Sequence, residues 1–141
     1  MRRKRAVIIT LVLVVLSGFV FREKLIQTYV VVAEEHLEKY AERLLDCEER
    51  KSDRYGLWKT RCYPEENMME FMTGGIGLAP SSTYKGFYYS ADNTHRVFSV
   101  ADESLAILEV NGDHAAWTDG TDNNGTSTRI TENWFWFEAS F

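Results

Sequence analysis

The run Asp119-Gly120-Thr121-Asp122-Asn123-Asn124-Gly125 gathers carboxylates and amides in one short polar segment. Oxygen ligands from Asp119, Asp122, Asn123 and Asn124 would suit a hard cation such as Ca²⁺. The spacing is not that of an EF-hand, because Asn124 stands where glycine is required and no bidentate Glu follows at the twelfth place. Asp, Asn and Gly are also what ordinary turns are made of. A plain loop is therefore the competing reading, and no cofactor is expected. Asn124-Gly125-Thr126 also matches the N-glycosylation sequon.

A second group is aromatic. From Trp134 to Phe141 the side chains alternate, with Trp134 and Trp136 on one side of a strand and Phe135, Phe137, Ala139 and Phe141 on the other. If the phenylalanine side is core, the two indoles form a platform with Tyr88 or Trp117, suited to stacking on sugar or peptide. If both sides are covered, the strand is simply buried. His36, His95 and His114 stand far apart, and there is no His-Glu-x-x-His, no Gly-x-Ser-x-Gly and no carboxylate pair. Gly74-Gly75-Ile76-Gly77 lacks the Lys-Ser/Thr of a phosphate-binding loop and opens no helix. The chain is not expected to be an enzyme.

Cys47 and Cys62 have fourteen residues between them and no Cys-x-x-Cys spacing, so zinc is poorly supported. A disulfide closing that loop is expected, worth roughly 3 kcal/mol in the chain-entropy model; two free thiols are the alternative. Charge is unevenly placed. Residues 22–62 balance nine basic against nine acidic side chains, whereas 63–141 carry three basic (Lys85, Arg96, Arg129) against twelve acidic, a net of −9. Such a region repels nucleic acid and anionic lipid headgroups, so nucleic-acid binding is excluded.

The elements that must position these groups begin with an uncharged stretch of sixteen residues, Ala6 to Phe21, preceded by Arg2, Arg3, Lys4 and Arg5. As a helix it is about 24 Å long, a little short of a ~30 Å hydrocarbon core, and snorkelling arginines and lysines cover the difference. It is expected to be an uncleaved signal anchor, with residues 1–5 cytoplasmic and the bulk of the chain outside. A cleaved signal peptide is the alternative, although cuts after Ser17 or Gly18 put Val15 or Leu16 at the −3 place. From 22 to 46 the pattern is helical. Ile26, Val30, Ala33, Leu37, Tyr40 and Leu44 form an apolar stripe, Tyr29, Ala41 and Leu45 widen it, and Glu35 and Lys39 pair on the polar side. The stripe either lies across the domain's own sheet or pairs with another helix.

Beyond a charged loop at Glu48–Arg54 the period becomes alternating. Strands are expected at 57–63, 68–73, 83–90, 95–100, 105–110, 114–118, 127–130 and 134–141, with a loop from Gly74 to Ser82. Asn111-Gly112 is the strongest hairpin signal. A helix followed by successive hairpins means an α+β domain with a largely antiparallel sheet, residues 47–141 forming one globular unit with the stalk helix.

The segments Gly77–Ser90, Trp117–Asn123 and Asn133–Phe141 resemble a group of small, uncharacterised bacterial single-pass membrane-anchored proteins. The resemblance covers the C-terminal half and implies bacterial origin and anchoring, but no activity. Gly18-Phe19-Val20-Phe21-Arg22-Glu23 also resembles a type IV prepilin processing site, but there the apolar helix follows the Glu and here it precedes it. The expected function is that of a binding or interaction module held outside the bilayer, with a protein, peptide or cell-wall glycan as partner. The alternative is an accessory subunit of a membrane complex, pairing through the stalk.

Overall fold

Helix starts the described part of the chain. The computed structural model describes residues 17–18, 21–46, 51–78, 81–97 and 106–141, and contacts divide the chain into two compact units, Met1–Glu34 and Glu35–Phe141. In the first unit residues 21–32 form helix α1. The Thr28 hydroxyl donates to the carbonyl of Lys24 at 2.8 Å, and the Gln27 amide donates to Glu23 at 3.2 Å. A break falls at Ala33, straight after Val30-Val31-Val32, three β-branched residues whose restricted rotamers make this the weakest helical stretch. The single helix expected over 22–46 is therefore two, the second being α2, Glu34–Leu45. The expected span 6–21 lies outside the described residues apart from Ser17, Gly18 and Phe21; among the described residues no helix is long and apolar enough to cross a membrane.

The second unit is α+β. Its eight strands are β1 (Lys51–Tyr55), β2 (Trp58–Tyr63), β3 (Met68–Leu78), β4 (Ser81–Ser90), β5 (Ile107–Asn111), β6 (His114–Thr118), β7 (Asn124–Thr131) and β8 (Trp134–Ser140). They form one antiparallel sheet in the order β1-β2-β3-β4-β8-β7-β6-β5, so two meanders meet where β4 pairs with β8. Because directly paired residues share a face, one row of partners runs Asp53, Thr60, Phe71, Phe87, Trp136, Thr128, His114, Asn111. The neighbouring row, on the other face, runs Arg54, Lys59, Met72, Gly86, Phe137, Ser127, Ala115, Val110.

Both faces carry an aromatic core. On the first, α2 sets its Tyr40 ring 4.8 Å from Tyr55 and 6.0 Å from Phe71. Tyr89 donates to Glu38 at 3.2 Å, and the Cys62 thiol donates to the Leu44 carbonyl at 3.2 Å. Beneath lie Phe71 stacked on Phe87 at 4.7 Å, with Trp58 edge-on at 5.0 Å and Trp134 beside them. On the second face Met68, Tyr88, Trp117, Phe135, Phe137 and Ala139 form the core, with Val97 packed against it. The chain from Ala91 to Val97 docks here through His95, whose ring meets Phe135 at 4.7 Å and whose Nδ1 lies 2.5 Å from the Ser127 hydroxyl.

Three expected elements are corrected. Within the segment expected to be a charged loop, residues 51–55 form the edge strand β1: backbone pairing with β2 across the Gly56-Leu57 turn (Gly56 φ +58°) outweighs its polar side chains. The expected loop 74–82 is largely strand, because its glycines follow a β-bulge between Met72 and Gly74 and then pair in register with Ser81–Lys85. Residues 95–97 are not a strand, and the Arg96 amide donates to the Tyr88 hydroxyl at 3.1 Å; 98–100 lie outside the described residues. The hairpin expected at Asn111-Gly112 forms with its turn one residue later, at Gly112-Asp113: Asn111 pairs with His114, and Gly112 has φ +62°.

Candidate functional site

The tight β1–β2 turn fixes a register in which Arg54 stands directly opposite Lys59. Parity puts both on the face away from α2, where like charges facing one another across a strand pair are destabilising. Neither has an ion-pair partner among the described residues. They line one side of a hollow of about 430 Å³, whose other residues include Met72, Thr73, Gly75 and Tyr84.

The hollow is made by the bulge in β3. Thr73 turns its hydroxyl to the Lys85 carbonyl at 3.1 Å, and the glycines that follow add no side chain. A Cβ at Gly74 would meet nothing within 4 Å. A Cβ at Gly75 would lie 2.9 Å from the Tyr84 ring, which rests on this backbone and forms an aromatic wall. Among the described residues no carboxylate, histidine or cysteine lines the hollow.

The nearest row of the same face shows the contrast. Arg61 stands opposite Glu70 with 4.0 Å between guanidinium and carboxylate, and the Tyr63 hydroxyl reaches the same carboxylate at 3.4 Å. Burial pushes the Glu70 carboxyl above its usual range, an effect that Arg61, Tyr63 and Lys59 oppose. Arg61 thus has an ion-pair partner; Lys59 feels the same carboxylate only from a distance, and Arg54 has no ion-pair partner among the described residues. A guanidinium, an ammonium, a strip of bare backbone and a tyrosine ring together suit an anionic group attached to a ring or short apolar portion.

The residues expected to form a ligand platform are not brought together. Trp134 and Trp136 lie on the α2 face with relative exposures of 0% and 7%, whereas Tyr88 and Trp117, at 0% and 3%, lie on the opposite face. All four are core, and β8 is buried on both sides. Burial accordingly pushes the Tyr88 hydroxyl up to about 12. The expected cation loop closes on itself. Asp119 accepts from the amide and hydroxyl of Thr121 at 2.9 and 2.6 Å and from the Asn123 side chain at 2.8 Å, and the Asn124 amide donates to the Asp122 carbonyl at 3.0 Å. Those bonds, the Thr121 ones foremost, hold the Asp119 carboxyl below its usual range. No cluster able to hold a metal occurs among the described residues.

Of the expected helix-pairing face, Leu37 is buried and Tyr40 and Leu44 are half-buried in the second unit, where α2 already has its own sheet to cover. In the first unit Val30 is buried and Ile26 and Ala33 are half-buried. The apolar side chains left exposed on α1 are instead Phe21, Leu25, Tyr29, Val31 and Val32. Cys62 is buried at the C-terminal end of α2, and its expected partner Cys47 lies outside the described residues. His36 and His114 are exposed, and His95 is a buried packing residue.

Comparison of the chain with protein-family models, with curated proteins and with solved structures gives no match. Arg54, Lys59 and Tyr84 form the site that the sequence reading passed over. Its only advance signal was the unusual Gly74-Gly75 pair ahead of a strong strand.

Proposed function

We propose that the chain is an extracytoplasmic binding module, anchored in the cell membrane by residues 6–21 with its N-terminus cytoplasmic, that takes an anionic group of a cell-wall peptide or glycan in the hollow between β1–β2 and β3–β4. The observation that carries this reading is Arg54 directly opposite Lys59, lining a hollow of about 430 Å³ that has no carboxylate among its described lining residues. A carboxylate or phosphate placed between the two cations relieves their repulsion, so ligand binding is worth more than the contacts alone. The four basic residues ahead of Ala6, and the resemblance of the C-terminal half to small bacterial anchored proteins, support the topology.

The test is calorimetric titration of the full-length protein, in detergent micelles, with soluble peptide–glycan fragments from a cell-wall digest. Binding should weaken with salt, fall when the fragments' carboxyl groups are amidated, and be lost in Arg54→Glu. Binding indifferent to all three would overturn the reading. A second reading, an accessory subunit pairing through α1, draws support from Phe21, Leu25, Tyr29 and Val32, exposed at spacings of four, four and three. Under that reading Leu25→Glu, and not Arg54→Glu, releases the partner.

A further inference from the structure

The two edges of the sheet differ in kind. At β1 the exposed Ser52, Asp53 and Arg54 discourage another strand from adding on. At β5 every residue from Ile107 to Asn111 is exposed, including Ile107 at 61% and Val110 at 58%. Among the described residues β5 pairs only with β6, so a row of backbone amides and carbonyls runs along its outer side. The sequence Ile-Leu-Glu-Val-Asn is apolar at three of its five places, and Ile107 and Val110 are strong strand formers. An exposed apolar edge of this sort is a template for strand addition.

Charge and register decide what adds. Residues 106–141 hold six acidic side chains against one arginine, Arg129, which already faces Asp113 at 3.3 Å. A second copy pairing antiparallel about a two-fold axis, with all five residues of β5 overlapping, has its centre at Glu109. That register sets two carboxylates directly opposite one another, in a region already strongly negative, and any shifted register shortens the pairing. The occupant must instead bring positive charge to Glu109. It must also bring apolar side chains to Leu108 and Val110, which share the face of Trp117 and Ala115.

We propose that the outer edge of β5 docks an extended segment of a partner protein in which basic and apolar residues alternate, adding a strand to the sheet. The basic residue lies beside Glu109 on the face of Ala116, and the apolar residues continue the opposite face past Leu108 and Val110. This surface is separate from the cationic hollow, which lies at the β1 end of the sheet.

The experiment uses full-length protein in detergent micelles and three fluorescent peptides of equal length: alternating Val-Lys, alternating Val-Glu and alternating Gly-Lys. Anisotropy reads binding, and amide hydrogen exchange at 107–111 reads strand addition. Val-Lys should bind and slow exchange at 107–111, whereas Gly-Lys, equally charged but a poor strand former, should bind weakly and slow nothing. Glu109→Lys, an exposed substitution, should weaken Val-Lys by about threefold to fivefold and shift the preference to Val-Glu. Arg54→Glu should leave Val-Lys binding unchanged, so failure at the hollow and failure at this edge are distinguishable. Equal binding of Val-Lys and Gly-Lys, unchanged exchange at 107–111, or self-association protecting those amides without peptide would each overturn the proposal.

Discussion

Replacing Arg54 by glutamate should make the protein more stable while destroying the site it belongs to. In the native sheet two cations face each other across β1–β2, in a hollow whose described lining includes no carboxylate. Arg54→Glu turns that like-charge pair into an opposite-charge pair in the same register. A directly opposed strand pair is worth ~0.2–1 kcal/mol in either direction, and solvent exposure of both residues places the value in the lower half of that range. Removing a repulsion and adding an attraction of that size gives about 0.5–1 kcal/mol of added stability. For a unit of this size that is a rise in Tm of roughly 2–4 °C at low salt, shrinking as ionic strength rises. Thermal unfolding by near-ultraviolet circular dichroism, at two salt concentrations, measures the shift. A stability gain together with lost anion binding is what a functional site held against folding preference produces. If Arg54→Glu lowers Tm at low salt, the guanidinium has a stabilising role and the uncompensated-charge argument is refuted.

Gly86→Ala should be strongly destabilising, by several kcal/mol, because its Cβ would lie 2.1 Å from the Phe71 carbonyl oxygen and 2.9 Å from the Phe137 ring, and backbone cannot yield as a side chain can. Urea denaturation checks it, and a loss below about 1 kcal/mol would show that β3 and β4 can separate at the bulge. The His95 imidazole is held below its ordinary value of 6.5, first by burial and then by the nearby Arg129 guanidinium, with Asp113 and the Gly112 carbonyl acting the other way. A base depressed on folding is neutral in both states above 6.5, so its share of stability is complete there and lost as pH falls through the lower folded value. Tm should fall between pH 7 and pH 5, and His95→Gln should flatten that slope; Glu70, raised by burial, contributes with the opposite sign, its share present below 4.5 and lost as pH rises.

The α+β class and the hairpin-by-hairpin sheet were legible because the changes of period and the turn residues are local properties. β6 and β8 begin where the alternation begins, at His114 and Trp134, and Gly112 takes the left-handed φ that its hairpin needs. What was illegible depends on partners far away in sequence. Lys51–Tyr55 has no apolar alternation and becomes a strand only because β2 offers its edge. Ile76 to Leu78, beside glycines, become strand only because Ser81–Thr83 lie opposite. The break at Ala33 is local, yet an unbroken apolar stripe concealed it, since the valines that weaken the helix also fill that stripe.

The fate of the aromatic residues shows the same limit at the level of the site. Alternation along β8 correctly separates Trp134 and Trp136 from Phe135 and Phe137, but alternation within one strand cannot say what covers either face. Pairing decides it. Tyr88 falls opposite Phe135 and Tyr89 opposite Trp134, so the tyrosine expected to join the indoles is on the far side of the sheet. A sheet with α2 on one face and residues 91–97 on the other buries the middle of its central strands, Phe87 to Tyr89 and Trp134 to Phe137. Binding chemistry must then move outward to the strands where the covering elements end. At one end that gives Arg54 and Lys59, and at the other the edge of β5, which among the described residues pairs only with β6. The same two layers that bury the obvious aromatic candidates therefore dictate where the less obvious sites occur.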